Sequence, residues 1–315
     1  MDRQAVKLNP VFKDYLWGGT KLKERYNKRT TLEKVAESWE LSTHKDGVST
    51  IKGGQYNGLA FSEYIEINKG CLGASAEKFK YFPILIKFID ADGNLSVQVH
   101  PDDDYALKVE GEYGKTEMWY VVEADEGAYL YYGVIKGISK SEFKKRIQNN
   151  TLIEILNKVE VKKGDVFFIE SGTIHAIGKG IVICEIQQNS NTTYRVYDYG
   201  RVDKNNKPRQ LHIEKAIEVA NLHPSPVLRP VKSQNDVVLA SCDYFTVRKL
   251  TPYSGMSVQI TDNCFHSLII TDGSGVLQLN DQALSLQKGD SVFIPAQNAK
   301  YMLSGKADII LTYIE

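Results

Sequence analysis

Three side chains that could bind a metal ion stand in or beside apolar, β-type segments of this sequence. His100 ends one such segment, Glu117 begins another, and His175 follows a Ser-Gly turn between apolar residues. Residues i and i+2 of a strand point to one face, so Gln98 and His100 are expected to point together. Two imidazoles, a carboxylate and an amide would suit Zn²⁺ with an open position for water or substrate, and the same set could hold Fe²⁺ or Mn²⁺.

On its own, His175 is better explained as an ordinary hydrogen-bonded histidine than as a ligand. A buried polar pair such as Gln98 and His100 needs partners, because an unsatisfied buried polar group costs about 1–3 kcal/mol. A shared metal would satisfy these side chains together with Glu117. The elements that carry them decide whether they meet.

Those elements are typical of a protein built from antiparallel strands. Short runs rich in β-branched and aromatic residues alternate with turns, which favours a sandwich or barrel. Helices are expected at 139–150, where Ser139 or Ser141 can cap the first turn, and at 212–221, followed by a connector from Pro224 to about residue 235. Strands are expected at 37–42, 48–51, 82–89, 95–100, 118–122, 128–133, 193–197, 237–240, 245–250, 256–261, 267–271, 275–279, 291–295 and 309–314.

The tripeptide Lys-Gly-Asp occurs twice, each time before an apolar run. Residues 163–169 align without gaps on 288–294, 125 positions later, and five of the seven residues are identical. Two β modules of similar build would explain the repeat, and the alternative is a common hairpin sequence that arose twice. Continuing the alignment places Lys300 opposite His175, so the second module is expected to hold no metal.

Charge and composition argue against several classes of partner. Lysine and arginine (39) balance aspartate and glutamate (39), so no basic field favours nucleic acid. The N-terminus lacks the apolar stretch of a signal peptide, and no run approaches the ~18 apolar residues of a membrane span. The four cysteines are far apart and are expected to be buried thiols in a reducing compartment. Together these features predict a cytoplasmic protein and leave its oligomeric state open.

Six short motifs occur between residues 10 and 220. They are Tyr15-Leu16-Trp17-Gly18-Gly19, Glu37-Ser38-Trp39, Gln98-Val99-His100-Pro101, Gly114-Lys115-Thr116-Glu117-Met118-Trp119-Tyr120, Ser171-Gly172-Thr173-Ile174-His175-Ala176 and Thr193-Tyr194-Arg195-Val196-Tyr197-Asp198. In this order the motifs resemble those of the type I mannose-6-phosphate isomerases, in the short form found in Gram-positive and related bacteria. The segment 164–175 also resembles the second cupin motif, with Glu170 where proline is usual.

The resemblance implies a mostly β fold of two cupin-like, jelly-roll β-barrel modules with a few helices packed around them. Residues 1–235 would form a catalytic module with N-terminal strands and helical insertions, and residues 236–315 a degenerate second module. The implied reaction interconverts D-mannose 6-phosphate and D-fructose 6-phosphate through a cis-enediol.

The resemblance also implies one Zn²⁺ per chain, with His100, Glu117 and His175 as ligands and Gln98 in or beside the ligand set. Glu117 follows His100 by 17 residues. That spacing is longer than in most cupins and is found in this isomerase family, which argues against a generic cupin oxygenase.

Two cations are the candidate catalytic and substrate-binding groups. Arg195 matches the family's active-site arginine and could stabilise an enediolate or bind the phosphate, while its structural alternative is an ion pair with Asp198. Lys115 shares a strand face with the carboxylate ligand and could hold phosphate or carry a proton, or it could be a solvated lysine at the rim. Gln98 could also contact substrate, and Lys87 is a weaker candidate. The general base stays unassigned.

Two other functions are compatible with the same residues. His100, Glu117 and His175 could form a facial triad for Fe²⁺ in a cupin oxygenase. Alternatively, the chain could be a non-catalytic regulator that binds a sugar phosphate. The joint presence of Gln98 and Arg195 favours the isomerase over both.

Overall fold

The computed structural model describes residues 3–202, 206–225 and 236–315. The elements before residue 100 are β1 (Val6–Asn9), β2 (Val11–Lys13), α1 (Lys21–Arg25), β3 (Glu37–Leu41), β4 (Thr43–His44), β5 (Gly47–Val48), β6 (Thr50–Lys52), α2 (Phe61–Ile67), β7 (Ile84–Ala91) and β8 (Val97–Val99). Those between 100 and 225 are α3 (Asp103–Val109), β9 (Glu117–Ala124), β10 (Tyr129–Val134), α4 (Lys140–Gln148), β11 (Leu156–Glu160), β12 (Val166–Ile169), β13 (His175–Ile177), β14 (Ile181–Gln188), β15 (Tyr194–Tyr197) and α5 (Ile213–Val219). Those after 235 are β16 (Val237–Ser241), β17 (Thr246–Leu250), β18 (Met256–Ile260), β19 (His266–Leu279), β20 (Gln282–Gln287), β21 (Ser291–Ile294) and β22 (Ala299–Tyr313).

Two antiparallel sheets form the first module. One has six strands in the order β12-β9-β14-β7-β3-β2, and the other has five in the order β11-β10-β13-β8-β15. Trp119 and Ile183 of the first sheet share one apolar cluster with Leu130 and Ile177 of the second. The sheets therefore pack face to face as a sandwich. The mostly β, jelly-roll prediction is confirmed, although the sheets stay open instead of closing into barrels.

The two central strands of the six-stranded sheet carry charges in an otherwise apolar sequence. Every residue of β7 and β14 is buried, because both strands have neighbours on either side and packing on both faces. Lys87 of β7 lies opposite Glu185 of β14 in the ladder. A buried charged pair on adjacent strands needs a reason beyond packing, and both side chains face the cavity described below.

The second module is a curled nine-stranded sheet around its own apolar core. Its long strand β19 replaces the separate strands predicted at 267–271 and 275–279, and its long strand β22 begins well before the strand predicted at 309–314. The residues between the two predicted strands belong to one continuous strand, whose register shifts between Ile270 and Asp272 and in which Gly273 adopts a positive φ of 72°. Strand β19 therefore has a different neighbour along each half of its length. It pairs with β21 through its first half and with β20 through its second.

The N-terminus belongs structurally to the second module's sheet. Strand β1 pairs with β21, and β6 pairs with β1, so residues 6–9 and 50–52 extend that sheet. A large apolar cluster that includes Phe61, Phe82 and Phe293 joins the two halves of the chain. The predicted boundary between residues 235 and 236 lies at the edge of a segment outside the described ranges. Most of the predicted connector lies within that segment, so the boundary stays a prediction.

The two Lys-Gly-Asp turns have the same geometry. Gly164 and Gly289 have positive φ angles of 91° and 88°. In each turn the aspartate carboxylate accepts a hydrogen bond from the backbone N–H three residues earlier, at 2.9 Å for Asp165 and 3.0 Å for Asp290. This shared backbone arrangement supports true repetition over a chance recurrence of a hairpin sequence.

Two of the helices match the predictions, and a third was not expected. Helix α4 has Ser139 as its N-cap, whose hydroxyl accepts a hydrogen bond from Glu142 N–H at 3.1 Å, and α5 occupies most of 212–221. Residues 103–109, for which no helix was predicted, form helix α3. Asp102 caps this helix by accepting a hydrogen bond from Tyr105 N–H at 2.9 Å. None of the helices that the structure describes is long and apolar enough to cross a bilayer.

Candidate metal centre

The predicted ligands meet between the two sheets. His175 on β13 and Gln98 on β8 are direct neighbours in the five-stranded sheet, whereas Glu117 begins β9 in the opposite sheet. His100 Nε2 lies 3.3 Å from Glu117 Oε1, and His175 Nε2 lies 3.7 Å from Glu117 Oε2. One atom from each of the three residues lies within 4.8 Å of the others, which is close enough for a shared ion. All three residues are buried.

Backbone carbonyls fix the orientation of both imidazoles. His100 Nδ1 lies 2.9 Å from Thr192 O, and His175 Nδ1 lies 2.9 Å from Thr173 O. A carbonyl can only accept, so each Nδ1 carries the proton and donates it. The Nε2 lone pairs are then free to face Glu117, which is the tautomer that a metal-binding histidine needs.

Gln98 completes the group of candidate ligands. Its amide Nε2 lies 3.5 Å from His100 Nε2 and 3.4 Å from His175 Nε2. Rotating the amide by 180° about the last side-chain bond places its oxygen where the nitrogen lies, and the oxygen is the amide atom that can bind a metal. Gln98 is therefore placed to act as a fourth ligand or to contact a molecule bound beside one.

The electrostatics of the site suit a cation. Burial lowers the pKa of His175 to about 4 and holds the pKa of His100 well below its usual range, so both are neutral at pH 7. Burial, reinforced by the charge of Glu185, raises the pKa of Glu117. Glu117 Oε1 is buried and accepts no hydrogen bond within the described part of the chain. Neutral imidazoles and an orphaned carboxylate oxygen fit a divalent metal.

Lys115 lies beside two of the candidate ligands. Its Nζ is 2.9 Å from Glu117 Oε1, outside hydrogen-bond geometry but within ion-pair distance, and 3.4 Å from His100 Nε2. The side chain is 5% exposed, which excludes the solvated rim lysine considered above. Lys115 and Gln98 both line a cavity of about 300 Å³.

A second row of charges lines the same cavity and was mostly missed from the sequence. Lys87 Nζ lies 3.5 Å from Glu37 Oε2 and 3.4 Å from Glu185 Oε2. Trp119 Nε1 donates to Glu185 Oε1 at 2.9 Å and to Glu117 Oε2 at 3.1 Å. Lys87 and Glu185 are charged residues inside largely apolar strands, and that pattern could have identified both from the sequence. Only Lys87 was predicted as a candidate.

Arg195 lies on the same sheet as two of the candidate ligands. It is the ladder partner of Gln98, which in turn pairs with His175. Its guanidinium donates to Ser96 Oγ at 3.2 Å and to Gln210 O at 3.1 Å. The ion pair with Asp198 considered as an alternative is not formed, because Asp198 accepts from other arginines.

A larger groove of about 600 Å³ lies elsewhere, between the N-terminal strand and the second module. None of its lining residues belongs to the cluster of candidate ligands. The smaller cavity is the better candidate site, because the buried charges and the candidate ligands converge on it.

Known proteins match the whole length of the chain. The family model for the type I phosphomannose isomerase catalytic domain matches residues 5–146, and the model for the mannose-6-phosphate isomerase cupin domain matches residues 235–314. A mannose-6-phosphate isomerase of Streptococcus mutans is 39% identical over 95% of this chain and 94% of its own. The mannose-6-phosphate isomerase ManA of Bacillus subtilis is 36% identical over the full length of both chains.

Solved structures show the same fold. The crystal structure of the mannose 6-phosphate isomerase from Bacillus subtilis superposes with a TM-score of 0.89 at 34% identity, covering 98% of this chain and 99% of that one. A structure from Archaeoglobus fulgidus, at 23% identity, has a TM-score of 0.81 over 100% of this chain and 99% of its own, and shares the fold. The chain therefore belongs to the type I mannose-6-phosphate isomerase family.

Proposed function

We propose that this chain interconverts D-mannose 6-phosphate and D-fructose 6-phosphate, with one Zn²⁺ held by His100, Glu117 and His175 and with Gln98 as a fourth ligand or substrate contact. The observation that carries the proposal is the convergence of these four side chains with Lys115 beside one cavity. Relatives named as mannose-6-phosphate isomerases along the full chain support the same reaction.

The reaction moves a proton between C1 and C2 of the sugar through a cis-enediol. It needs an acid or base near these carbons, positive charge near their oxygens, and a site for the phosphate. A divalent metal, when bound, supplies Lewis acidity to those oxygens. Fe²⁺ and Mn²⁺ accept the same ligands, and Zn²⁺ is proposed because it favours two imidazoles and a carboxylate with one position open.

The cations of the cavity supply the proton transfer and the positive charge that the reaction needs. Lys115, beside Glu117 and His100, is the lysine placed to exchange a proton at the end of the cavity nearest the ligands. Burial opposes the charge on Lys87, but the carboxylates of Glu37, Glu185 and Glu117 together outweigh burial and raise the pKa of Lys87. Lys87 therefore stays protonated and acts as a fixed positive charge. Arg195 provides another such charge on the opposite sheet.

The proposed setting of the enzyme is the cytoplasm, with a small sugar phosphate as its partner. Three of the four cysteines are buried, and all four are unpaired, which suits a reducing compartment. Formal net charge is zero, which suits a small-molecule enzyme better than a nucleic-acid binder.

A coupled assay for fructose 6-phosphate, run on protein with known metal content, tests the proposal. We expect turnover of mannose 6-phosphate, loss of turnover after dialysis against a chelator, and recovery with Zn²⁺. Active protein without stoichiometric metal would refute the metal assignment. Binding of mannose 6-phosphate without turnover would favour a regulator, and oxygen uptake with added Fe²⁺ would favour an oxygenase.

A further inference from the structure

We infer that Arg209, held in place by Asp198, binds the phosphate group of the substrate together with Arg195. The inference rests on the proposed function, because it assigns a part of the same cavity. Arg209 and Arg195 both line the cavity that also contains Gln98 and Lys115. No motif in the sequence marked Arg209, which follows a loop containing residues outside the described ranges.

Asp198 anchors two arginines, of which Arg209 lines the cavity. Arg209 donates to it through a fork, from Nε to Oδ2 at 2.8 Å and from Nη2 to Oδ1 at 2.5 Å. Arg201 Nη2 donates to Asp198 Oδ1 at 2.5 Å, and Arg201 Nη1 donates to Asn94 O at 2.5 Å. Asp198 is 7% exposed, so this anchor is largely shielded from water.

The position of Arg209 is also fixed by the backbone beside it. Val202 and Pro208 form an isolated antiparallel bridge that closes the base of the loop. Gln210, the next residue after Arg209, accepts a hydrogen bond from Arg195 Nη1 at 3.1 Å through its carbonyl. The two arginines of the cavity are thereby tied to each other through one residue, which keeps them on the same side of the opening.

Positive charge exceeds negative charge at this end of the cavity. Within the described ranges, Asp198 is the one carboxylate that forms an ion pair with Arg201 or Arg209. Arg195 donates to a hydroxyl and a carbonyl, which are neutral. Among the described residues, three guanidinium groups thus lie near one carboxylate, an excess of two positive charges, and two of the three, Arg195 and Arg209, line the cavity. A phosphate monoester carries about −1.5 to −2 charges at pH 7, which matches that excess.

The opposite end of the cavity has the reverse balance. Lys87 lies between two carboxylates, and Lys115 pairs with Glu117. The cations there already have anionic partners in the protein, whereas Arg209 shares Asp198 with Arg201, and Arg195 contacts neutral acceptors. This asymmetry would orient the substrate, with its phosphate at the arginines and C1 and C2 near the metal ligands. Planar guanidinium groups match phosphate oxygens better than an ammonium does.

Kinetic analysis of Arg209→Gln, with inorganic phosphate as a competitive inhibitor, tests this assignment. Losing one charge-assisted contact should raise both the KM for mannose 6-phosphate and the Ki of phosphate by roughly 10- to 100-fold, with kcat changed far less. Arg209→Lys keeps the charge and an ion pair with Asp198 but loses the fork, so it should fold normally and give intermediate values. The matched control is Arg146→Gln, which removes a half-buried helical arginine that pairs with Glu142 and Glu154 outside the cavity and should change neither constant.

The outcomes separate this inference from the proposed reaction. Unchanged KM and phosphate Ki in Arg209→Gln would overturn the phosphate assignment while leaving the isomerase proposal intact. A fall in kcat and melting temperature at unchanged Ki would also overturn it, because Arg209 would then be a structural clamp. If the wild type does not isomerise mannose 6-phosphate, the proposed function fails. Calorimetric titration of the wild type and both Arg209 variants with inorganic phosphate would still decide whether Arg209 binds an anion.

Discussion

Replacing Lys87 with methionine should destabilise the metal-free protein strongly, because two buried carboxylates lose their cation. Lys87 Nζ lies 3.5 Å from Glu37 and 3.4 Å from Glu185, and the lysine side chain is 3% exposed. At an effective dielectric constant of about 20, each contact is worth ~5 kcal/mol of Coulomb energy. Relaxation and protonation reduce the net loss, so we expect ~3–5 kcal/mol, a large part of the total stability of a protein.

The loss should depend on pH in a defined direction. Burial raises the pKa of Glu185, but in the wild type Lys87, Lys115 and the hydrogen bond from Trp119 together outweigh burial and keep that pKa below its usual value. In Lys87→Met the pKa of Glu185 should rise above that of the unfolded chain. The destabilisation relative to wild type is then largest above the raised pKa, falls as pH drops through it, and disappears only below the lowered pKa of Glu185 in the wild type. The difference in unfolding free energy from wild type should therefore shrink between pH 8 and pH 5.

Urea unfolding of chelator-treated protein at several pH values measures this effect. The double variant Lys87→Met/Glu185→Gln should recover a substantial part of the loss, since it removes one of the unpaired carboxylates. The matched control is Lys45→Met, whose lysine is 71% exposed and pairs with Glu112, and which should be nearly neutral. A Lys87→Met protein as stable as wild type, or equally destabilised at pH 5 and pH 8, would refute the reasoning.

Three further predictions concern the metal, the arginine and the second module. Glu117→Gln should lose both its stoichiometric metal, measured by elemental analysis, and its turnover. The wild type should bind one metal per chain and none at His266, and a second bound metal would contradict this expectation. Arg195→Ala should lower kcat/KM by roughly 10²- to 10³-fold with little change in melting temperature, and unchanged turnover would remove Arg195 from the site. Burial lowers the pKa of His266 in the folded protein to about 4. Below about pH 6.5 the unfolded chain binds a proton at this histidine and the folded protein does not, so the folded state loses stability as pH falls. Between pH 7 and pH 5 wild type should therefore lose about 2 kcal/mol more than His266→Gln in urea unfolding, and equal losses would contradict the assignment.

The candidate ligands could be found from the sequence because each lies in a local pattern. Gln98 and His100 share a face by strand alternation, and His175 follows a Ser-Gly turn in the segment that begins with the repeated Lys-Gly-Asp turn. The structure places both histidines and Glu117 around one point, as those patterns suggested. What the sequence could not supply was the pairing of distant strands, which brings Glu37 next to Lys87.

Arg209 escaped prediction for a related reason. Its role depends on Asp198 lying eleven residues earlier in the chain but within hydrogen-bond distance in space. Loop residues carry no periodic signal, so neither the contact nor the excess of positive charge around it can be read from spacing. The position of β1 in the second module's sheet was hidden in the same way, because four residues of alternating pattern do not specify their partner strand.

The second module shows how one change of strand face can remove a metal centre while the fold is kept. In the ladders, His266 pairs with Ile294 as Glu117 pairs with Ile169, and Lys300 pairs with Gln259 as His175 pairs with Gln98.

Yet Lys300 and Gln259 are exposed, whereas their neighbours Tyr301 and Val258 are buried. The strands therefore turn the opposite face inward, and a one-residue shift of this kind moves a whole set of side chains from core to solvent. Tyr301 now reaches His266 Nδ1 through its hydroxyl at 2.9 Å. A protein hydrogen bond thus satisfies the buried histidine in the second module, whereas the first leaves a carboxylate oxygen of Glu117 without one. That difference is the physical reason to expect metal in one module and not in the other.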